Sequence, residues 1–440
     1  MSKRLSLIIF LILIIVLAGS TFAFLYHDNS SEPEPSVPTE PPPVLWQIDL
    51  EHFATDFAVY GERVFICENV GNVLGFDAAN GKLLWEKDVG GYVAGSSTLV
   101  IYEGKLYFGS KGSIVYRLDP TTGNKEMEYA APVSSSYRSK SAPDFFVADG
   151  KVFAEADGTA VYDANTGELL WERPAYGEFV LTDAGLSEPE SDYVYMYSSW
   201  RISANNGSIL WKSSFGADEP AIVAGNKVIF WNSDPLWVSG EDQTIICVNT
   251  SSGETFWSFD VGAPAFQPTE YNGLLLFGAA DGNFYALHTE NGSVAWKTSI
   301  ESQNIMNSAI LPAISPVIVD PETQNVLWSF VGTRVNLAAS EQVQYVGIIC
   351  NLDLETGNLE YTNQFVGNGS ISKAPPKTPL LGLAYLNGTL YLTAGDDLWL
   401  LDQSTGNPLG TRHFEHYLLD PIAYRTRVYI AADLFLFAYN

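Results

Sequence analysis

The sequence predicts an all-β chain folded as a closed β-propeller of four-stranded antiparallel blades, eight or nine in number. Three observations carry that prediction. A single pattern, ending in a glycine turn and a following strand, recurs along almost the whole chain. Aromatic, Gly and Pro residues are abundant, with 11 Trp, 23 Tyr, 24 Phe, 37 Gly and 23 Pro, as many short strands joined by tight turns require. The two ends of the repeating region are complementary halves of one unit, so the ring can close on itself.

In chain order, Lys3 and Arg4 precede an apolar run from Leu5 to Tyr26. Those residues would span about 33 Å as a helix, enough for the hydrocarbon core of a bilayer. Basic residues before the run place residues 1–4 in the cytoplasm and the rest of the chain outside. The run is read as a transmembrane signal-anchor over 5–26. The rival is a cleaved signal peptide, for which Ala18, Gly19 and Ser20 could form the cleavage site. Residues 27–43, HDNSSEPEPSVPTEPPP, are Pro-rich and acidic, and read as an extended stalk.

From Val44 to Asn440 the repeat takes over. Its clearest copies are VLGFDAANGKLLW (73–85), AVYDANTGELLW (160–171), RISANNGSILW (201–211), ICVNTSSGETFW (246–257) and YALHTENGSVAW (285–296). Weaker copies are YRLDPTTGNKEMEY (116–129), NLDLETGNLEY (351–361) and LLDQSTGNPLG (400–410). The turn glycines are Gly81, Gly123, Gly167, Gly207, Gly253, Gly292, Gly357 and Gly406, at intervals of 42, 44, 40, 46, 39, 65 and 49 residues. An apolar strand ends at Asp or Asn, the turn closes on Gly, where positive φ costs least, and Trp follows four residues later. Two further strands lie upstream, as in AFQPTEYNG–LLLFGAADG–NFYALHTENG–SVAWKTSI (265–300).

The last segment, RVYIAADLFLFAYN (427–440), lacks a turn and a Trp strand, and VLWQIDL (44–50) supplies one, with Trp46 in the repeat position. Counting that composite unit gives nine. The long interval between Gly292 and Gly357 points to an insertion that includes Thr298 to Pro312.

The core DANTGELLW (163–171) resembles the repeat of PQQ-dependent alcohol dehydrogenases and BamB-like assembly proteins, over residues 44–440. The resemblance implies that each Trp stacks on the neighbouring blade, by position Trp46, Trp85, Trp171, Trp211, Trp257 and Trp296. Three copies depart from it: Tyr129 falls one residue late, Tyr361 replaces the Trp, and Gly410 offers no aromatic. The enzymes of that family hold PQQ and calcium in a central funnel, with Glu, Asn and Asp ligands, a catalytic Asp and an adjacent Cys-Cys disulfide. Cys67, Cys247 and Cys350 are far apart, and the ligand set finds no residue-by-residue match here.

No catalytic, cofactor-binding or metal site is read from the residues. The histidines are scattered as His27, His52, His288, His413 and His416. The last two are three apart but not on a helix. Asp396-Asp397, Asp157-Gly158 and Asp281-Gly282 read as hairpin turns rather than calcium loops. The net charge of −28 argues against nucleic acid as a partner. Six Asn-x-Ser/Thr sequons stand at Asn29, Asn206, Asn249, Asn291, Asn368 and Asn387, candidates for glycosylation in an exported chain.

The functional expectation is a membrane-anchored extracytoplasmic propeller that binds unidentified extracytoplasmic proteins as a scaffold, in envelope protein assembly, and needs no cofactor. The alternative is a PQQ- and calcium-dependent dehydrogenase of alcohols or sugars. The segments 130–142, 298–312 and 362–378 are the expected contact loops, with Arg138, Lys140, Lys373 and Lys377 supplying local positive charge.

Overall fold

A computed structural model describes residues 43–440, apart from the segments 90–98, 134–142, 174–179, 183–184, 193–195, 213–221, 232–243, 301–312, 315–316, 336–341, 371–380 and 415–417 and the single positions 157, 264, 280, 322, 395 and 433. The chain divides into two compact units, Met1–Pro38 and Thr39–Asn440. Every described residue belongs to the second, so the 5–26 run and nearly all of the stalk lie outside the described residues.

Among the described residues all regular structure is β, in nine antiparallel sheets. Sheet 1 runs Ala54–Tyr60, Arg63–Glu68, Asn72–Asp77 and Leu83–Asp88, each strand paired with the next. Sheets 2 to 6 repeat this order, and their fourth strands are Lys125–Ala130, Leu169–Arg173, Ile209–Lys212, Thr255–Asp260 and Val294–Ser299. Sheet 7 opens with two short segments, Ala313–Ile314 and Ile318–Asp320, that share one partner strand. Sheet 8 spans Leu381 to His413. Sheet 9 takes Ile422–Tyr424, Arg427–Ala432 and Phe435–Tyr439 from the C-terminal end and Trp46–Asp49 from the other end, with Trp46 opposite Ala438 and Asp49 opposite Phe435.

The middle strands are buried along their length because neighbouring sheets cover both faces. Val64 to Glu68 and Leu106 to Ser110 are examples. Outer strands are buried chiefly at the Trp, in the pattern of LLWEKD (83–88) and VAWKTS (294–299). The apolar core is therefore divided into slabs between sheets. Sheet 1 shares one with sheet 2 through Phe65, Trp85 and Phe108, and sheet 6 shares one with sheet 7 through Phe284, Trp296 and Trp328. Sheet 9 packs on sheet 8 through Phe437 and Leu398. On its other face it packs on sheet 1 through Tyr429 and Phe76. First strands of adjacent sheets touch, as Ala54–Tyr60 does with both Leu99–Tyr102 and Ile422–Tyr424.

Three expectations need correction. Thr298 and Ser299 lie in the fourth strand of sheet 6, and Thr362 to Ser370 continue the fourth strand of sheet 7 rather than forming a loop. The extra length after Gly292 is used partly as backbone ladder: strands Asn325–Val335, Gln342–Asp353 and Leu359–Ser370 stay paired well beyond the usual blade length. Finally, Met127 occupies the position four after Gly123, and Tyr129 stands two residues beyond it.

Candidate functional site

In most of its turns the repeat places one residue at a crossing of hydrogen bonds. In sheet 1 the Asp77 carboxylate accepts N–H bonds from Ala79 and Asn80 at 2.8 and 3.2 Å, folding the chain back on itself. Gly81 then takes φ of 73°, where glycine alone is unstrained. Between them, the Ala78 N–H donates to the Glu62 carbonyl in the first-to-second turn of its own sheet at 3.0 Å. The Ala78 carbonyl accepts from the Trp46 indole of the preceding sheet at 3.2 Å.

The same double use recurs at Thr250, Thr289 and Leu354. Their N–H groups donate to Asn226, Gly273 and Gln324, and their carbonyls accept from Trp211, Trp257 and Trp296 at 2.9 to 3.0 Å. Trp85 and Trp171 donate likewise to Pro120 and Ala204. Pro120 has no N–H, so the second half of the link is missing there. Each indole also lies flat against the next turn glycine. A Cβ on Gly292 would sit 2.6 Å from the Trp257 ring, and one on Gly253 2.7 Å from Trp211.

The departing copies keep the crossing by other means. At the junction of sheets 2 and 3, Met127 covers Gly167, while the Tyr129 hydroxyl (2.6 Å) and Arg117 donate to the Ala164 carbonyl. At the junction of sheets 7 and 8 the Tyr361 ring covers Gly406, but its hydroxyl is buried without a partner. Two other side chains make the link. Asn363 donates to the Thr405 carbonyl at 2.7 Å and Gln403 to Asp320 at 2.8 Å.

These bonds separate the two faces of the ring. First-to-second and third-to-fourth connections lie on one face, tied to each other and to the neighbouring sheet. Second-to-third connections and the links between sheets lie on the other by strand order. The longer segments of the chain, 89–98, 131–143, 231–243, 300–312 and 371–380, connect strand ends at that second face. Of the expected contact loops, 134–142, 301–312 and 371–378 lie outside the described residues, and with them Arg138, Lys140, Lys373 and Lys377.

Buried carboxyls gather at the same face, near the seam of sheets 9 and 1. Asp56, at the start of a first strand, accepts the N–H groups of Leu99 (2.7 Å) and Phe57 (2.8 Å). Burial pushes its carboxyl up to about 6, against those two bonds and with help from the charge of Asp420. Asp420, just before the first strand of sheet 9, is raised by burial as well. Glu68 is 2% exposed, held by the His52 N–H and the Asn72 side chain, and also raised by burial. Sequence reading missed all three, because only the pairing of the ring's ends brings positions 56 and 420 together.

Among the described residues no three His, Cys, Asp or Glu side chains converge as cation ligands. Cys67, Cys247 and Cys350 are buried and none forms a disulfide. Burial pushes the Cys247 thiol up to about 12 and raises that of Cys350 as well, which suppresses the reactive thiolate. His413 Nδ1 meets the buried carboxylate of Asp397 at 2.8 Å; His416 lies outside the described residues. His288 contributes backbone bonds to a turn. Asp281 bonds Asn283 and Tyr285 within its own hairpin, and Asp397 begins a strand.

Of the sequons, Asn29 lies outside the described residues, and Asn368 sits in the long fourth strand of sheet 7. Asn206 and Asn291 are exposed in third-to-fourth turns. Asn249 is half-buried in one, and Asn387 is exposed in a first-to-second turn with φ of 51°.

Comparison with known proteins gives one family and a common fold. The family described as outer membrane protein assembly factor BamB matches residues 42–183 and 198–323, more than half of the chain. The outer membrane protein assembly factor BamB of Yersinia pestis is 22% identical over 296 residues, 61% of this chain and 72% of that protein. The tetrathionate hydrolase of Acidithiobacillus ferrooxidans is 25% identical over 340 residues, 61% of this chain and 65% of its own length. Among solved structures, a europium-containing methanol dehydrogenase superposes with a TM-score of 0.51 at 12% identity, covering 89% of this chain and 85% of that one. At that identity the likeness speaks for the fold alone.

Proposed function

The chain belongs to the outer membrane protein assembly factor BamB family, and from that premise we propose that it is a scaffold that binds other proteins of the cell envelope through one face of the ring. In this reading the nine sheets are the blades of one closed propeller. The 5–26 run anchors the chain once in the membrane, and the acidic stalk of 27–43 carries the propeller on the extracytoplasmic side.

The observation that carries the reading is the asymmetry of the faces. On one face, turn after turn is committed to hydrogen bonds within its sheet and to the preceding one. The opposite face holds every long connection, and loops fixed on a rigid frame are where binding surfaces form. An assembly role is what the printed description of the Yersinia pestis relative supports. The description of the other relative, a hydrolase, would support catalysis instead.

Site-specific photo-crosslinking in source cells tests this. Photoreactive residues at 138 and 373 are expected to capture envelope proteins, and ones at 122 and 356, in tight turns, are expected to capture none. Equal capture from both faces would sink the reading. The dehydrogenase alternative is tested by titrating the protein with PQQ, with and without calcium. Stoichiometric, calcium-dependent heat would replace the scaffold reading.

A further inference from the structure

We infer that Asn206 and Asn291 carry N-linked glycans, and that among the sequons the folded ring exposes in third-to-fourth turns these two alone are competent acceptors. The inference rests on the extracytoplasmic reading, because the sugar donor class, a lipid-linked oligosaccharide, is presented on that side of a membrane.

The chemistry needs an asparagine whose carboxamide nitrogen is free and a hydroxyl residue two positions on that is also free. The new bond joins Asn Nδ2 to the anomeric carbon of the sugar. The sugar–oxygen bond to the lipid diphosphate breaks, its electron pair leaves with the diphosphate, and the amide proton passes to a base of the transferase. No oxidation is involved.

Asn206 and Asn291 occupy equivalent positions, the residue before the turn glycine in sheets 4 and 6. In each the side-chain oxygen accepts the N–H of the serine two residues on, from Ser208 at 3.0 Å and from Ser293 at 2.9 Å. That bond fixes the carboxamide with its oxygen inward, so Nδ2 faces solvent; both asparagines and both serines are exposed. Among the described residues neither Nδ2 nor either serine hydroxyl makes a hydrogen bond.

The turn itself does not require this arrangement. In five other sheets Thr122, Thr166, Ser252, Thr356 and Thr405 give the same bond from a hydroxyl oxygen. Asn80 has the same geometry, accepting from Lys82 at 2.9 Å, but offers no hydroxyl two positions on.

Asn249 fails on geometry although its sequence qualifies. It fills the position that Asp takes in other turns, half-buried, with its oxygen accepting from Ser251 and Ser252 at 2.7 and 3.0 Å. Its neighbour Thr250 is 5% exposed and holds the Trp211 indole through its carbonyl. Threading Asn249 through a transferase would break a junction between sheets. Glycans at 206 and 291 would stand on the tight-turn face beside the exposed side chains of Ile209, Leu210 and Val294, leaving the long-connection face clear.

The test is glycopeptide mass spectrometry on the full chain from source-cell membranes, run beside protease accessibility on cells stripped to an intact cytoplasmic membrane. Peptides holding Asn206 and Asn291 are expected to carry sugar and the Asn249 peptide none. Asn206→Gln and Asn291→Gln should each lower the intact mass by one glycan. Bare asparagines at 206 and 291 in protein that external protease can reach would overturn the inference while leaving the location intact. A chain shielded from external protease would overturn the extracytoplasmic reading instead. A second arm is independent of location: folded full-length protein is incubated with an oligosaccharyltransferase and a lipid-linked oligosaccharide. Asn206 and Asn291 should be modified at least tenfold faster than Asn249; equal rates would overturn the inference.

Discussion

The junction between sheets 6 and 7 and the junction between sheets 7 and 8 come from the same repeat and differ in one ring. At the first, Trp296 lies on Gly357 and its indole donates to the Leu354 carbonyl at 2.9 Å. At the second, Tyr361 lies on Gly406 in the same way, yet its hydroxyl finds no partner, and neither does the side-chain oxygen of Asn351 directly opposite. The flat face of the ring is what the glycine turn selects, and Tyr supplies it as well as Trp. At the position four after the glycine, the reach of the hydrogen bond belongs to the indole. Where it is lost, Asn363 and Gln403 make the link.

The largest test of this contrast is truncation. Trp296→Ala removes both ring and bond and is expected to cost about 3–5 kcal/mol in urea unfolding. Tyr361→Ala, which removes only packing, should cost about 1–2 kcal/mol less. Equal losses would mean that the indole bond contributes nothing.

A smaller effect is expected at the glycines. Gly292→Ala adds strain at φ of 70° and drives a Cβ to 2.6 Å from Trp257, for about 2–3 kcal/mol. Gly61→Ala meets nothing within 4 Å at φ of 62° and should cost about 1 kcal/mol. A melting-temperature series of the two separates strain from contact.

Removing a single oxygen should change sign between junctions. Tyr129→Phe breaks the 2.6 Å bond to the Ala164 carbonyl and should lose about 1 kcal/mol. Tyr361→Phe removes a hydroxyl that is buried unpaired, so stability should hold or rise by up to about 1 kcal/mol. Parallel denaturant titrations decide it.

The least effect is expected from pH, and it acts differently on turns and seam. Turn hydrogen bonds hold Asp119, Asp163, Asp353 and Asp402 below the ordinary carboxylate range. Their contribution is present above that range and fades as pH falls through their lowered values. Asp56, raised to about 6 by burial, works the other way: its contribution is complete at or below the ordinary carboxylate range and is lost as pH rises through about 6. Asp56→Asn should flatten the stability profile between about pH 4 and 6 and leave the limb below that window unchanged.

Much of the ring was legible because the repeat writes its own geometry. Gly81 to Gly406 mark the turns, and all eight take positive φ. The composite sheet could be read from Trp46 and the unfinished segment before Asn440, and those strands are paired in the structure. What sequence could not give was contact between blades at positions outside the motif. Nothing in Asp56 or Asp420 announces a neighbour. The rescue of the departing copies by Arg117, Asn363 and Gln403 depends on registers that only packing fixes. The start of the insertion after Gly292 was set too early, at Thr298, for a related reason. Strands as long as Gln342–Asp353 carry no turn signal to separate ladder from loop.

The pairing of Trp46–Asp49 with Phe435–Ala438 also sets an order of events. That ladder joins segments separated by nearly the entire repeating region, so its loop-closure entropy exceeds that of any hairpin in the ring. The earlier sheets can stack as they leave the ribosome, but the first strand must wait, unpaired, for the last hairpin to be synthesised. The latch is therefore a checkpoint on completeness: a chain cut short by one hairpin keeps most of its stacked sheets and leaves two raw edges for quality control to find.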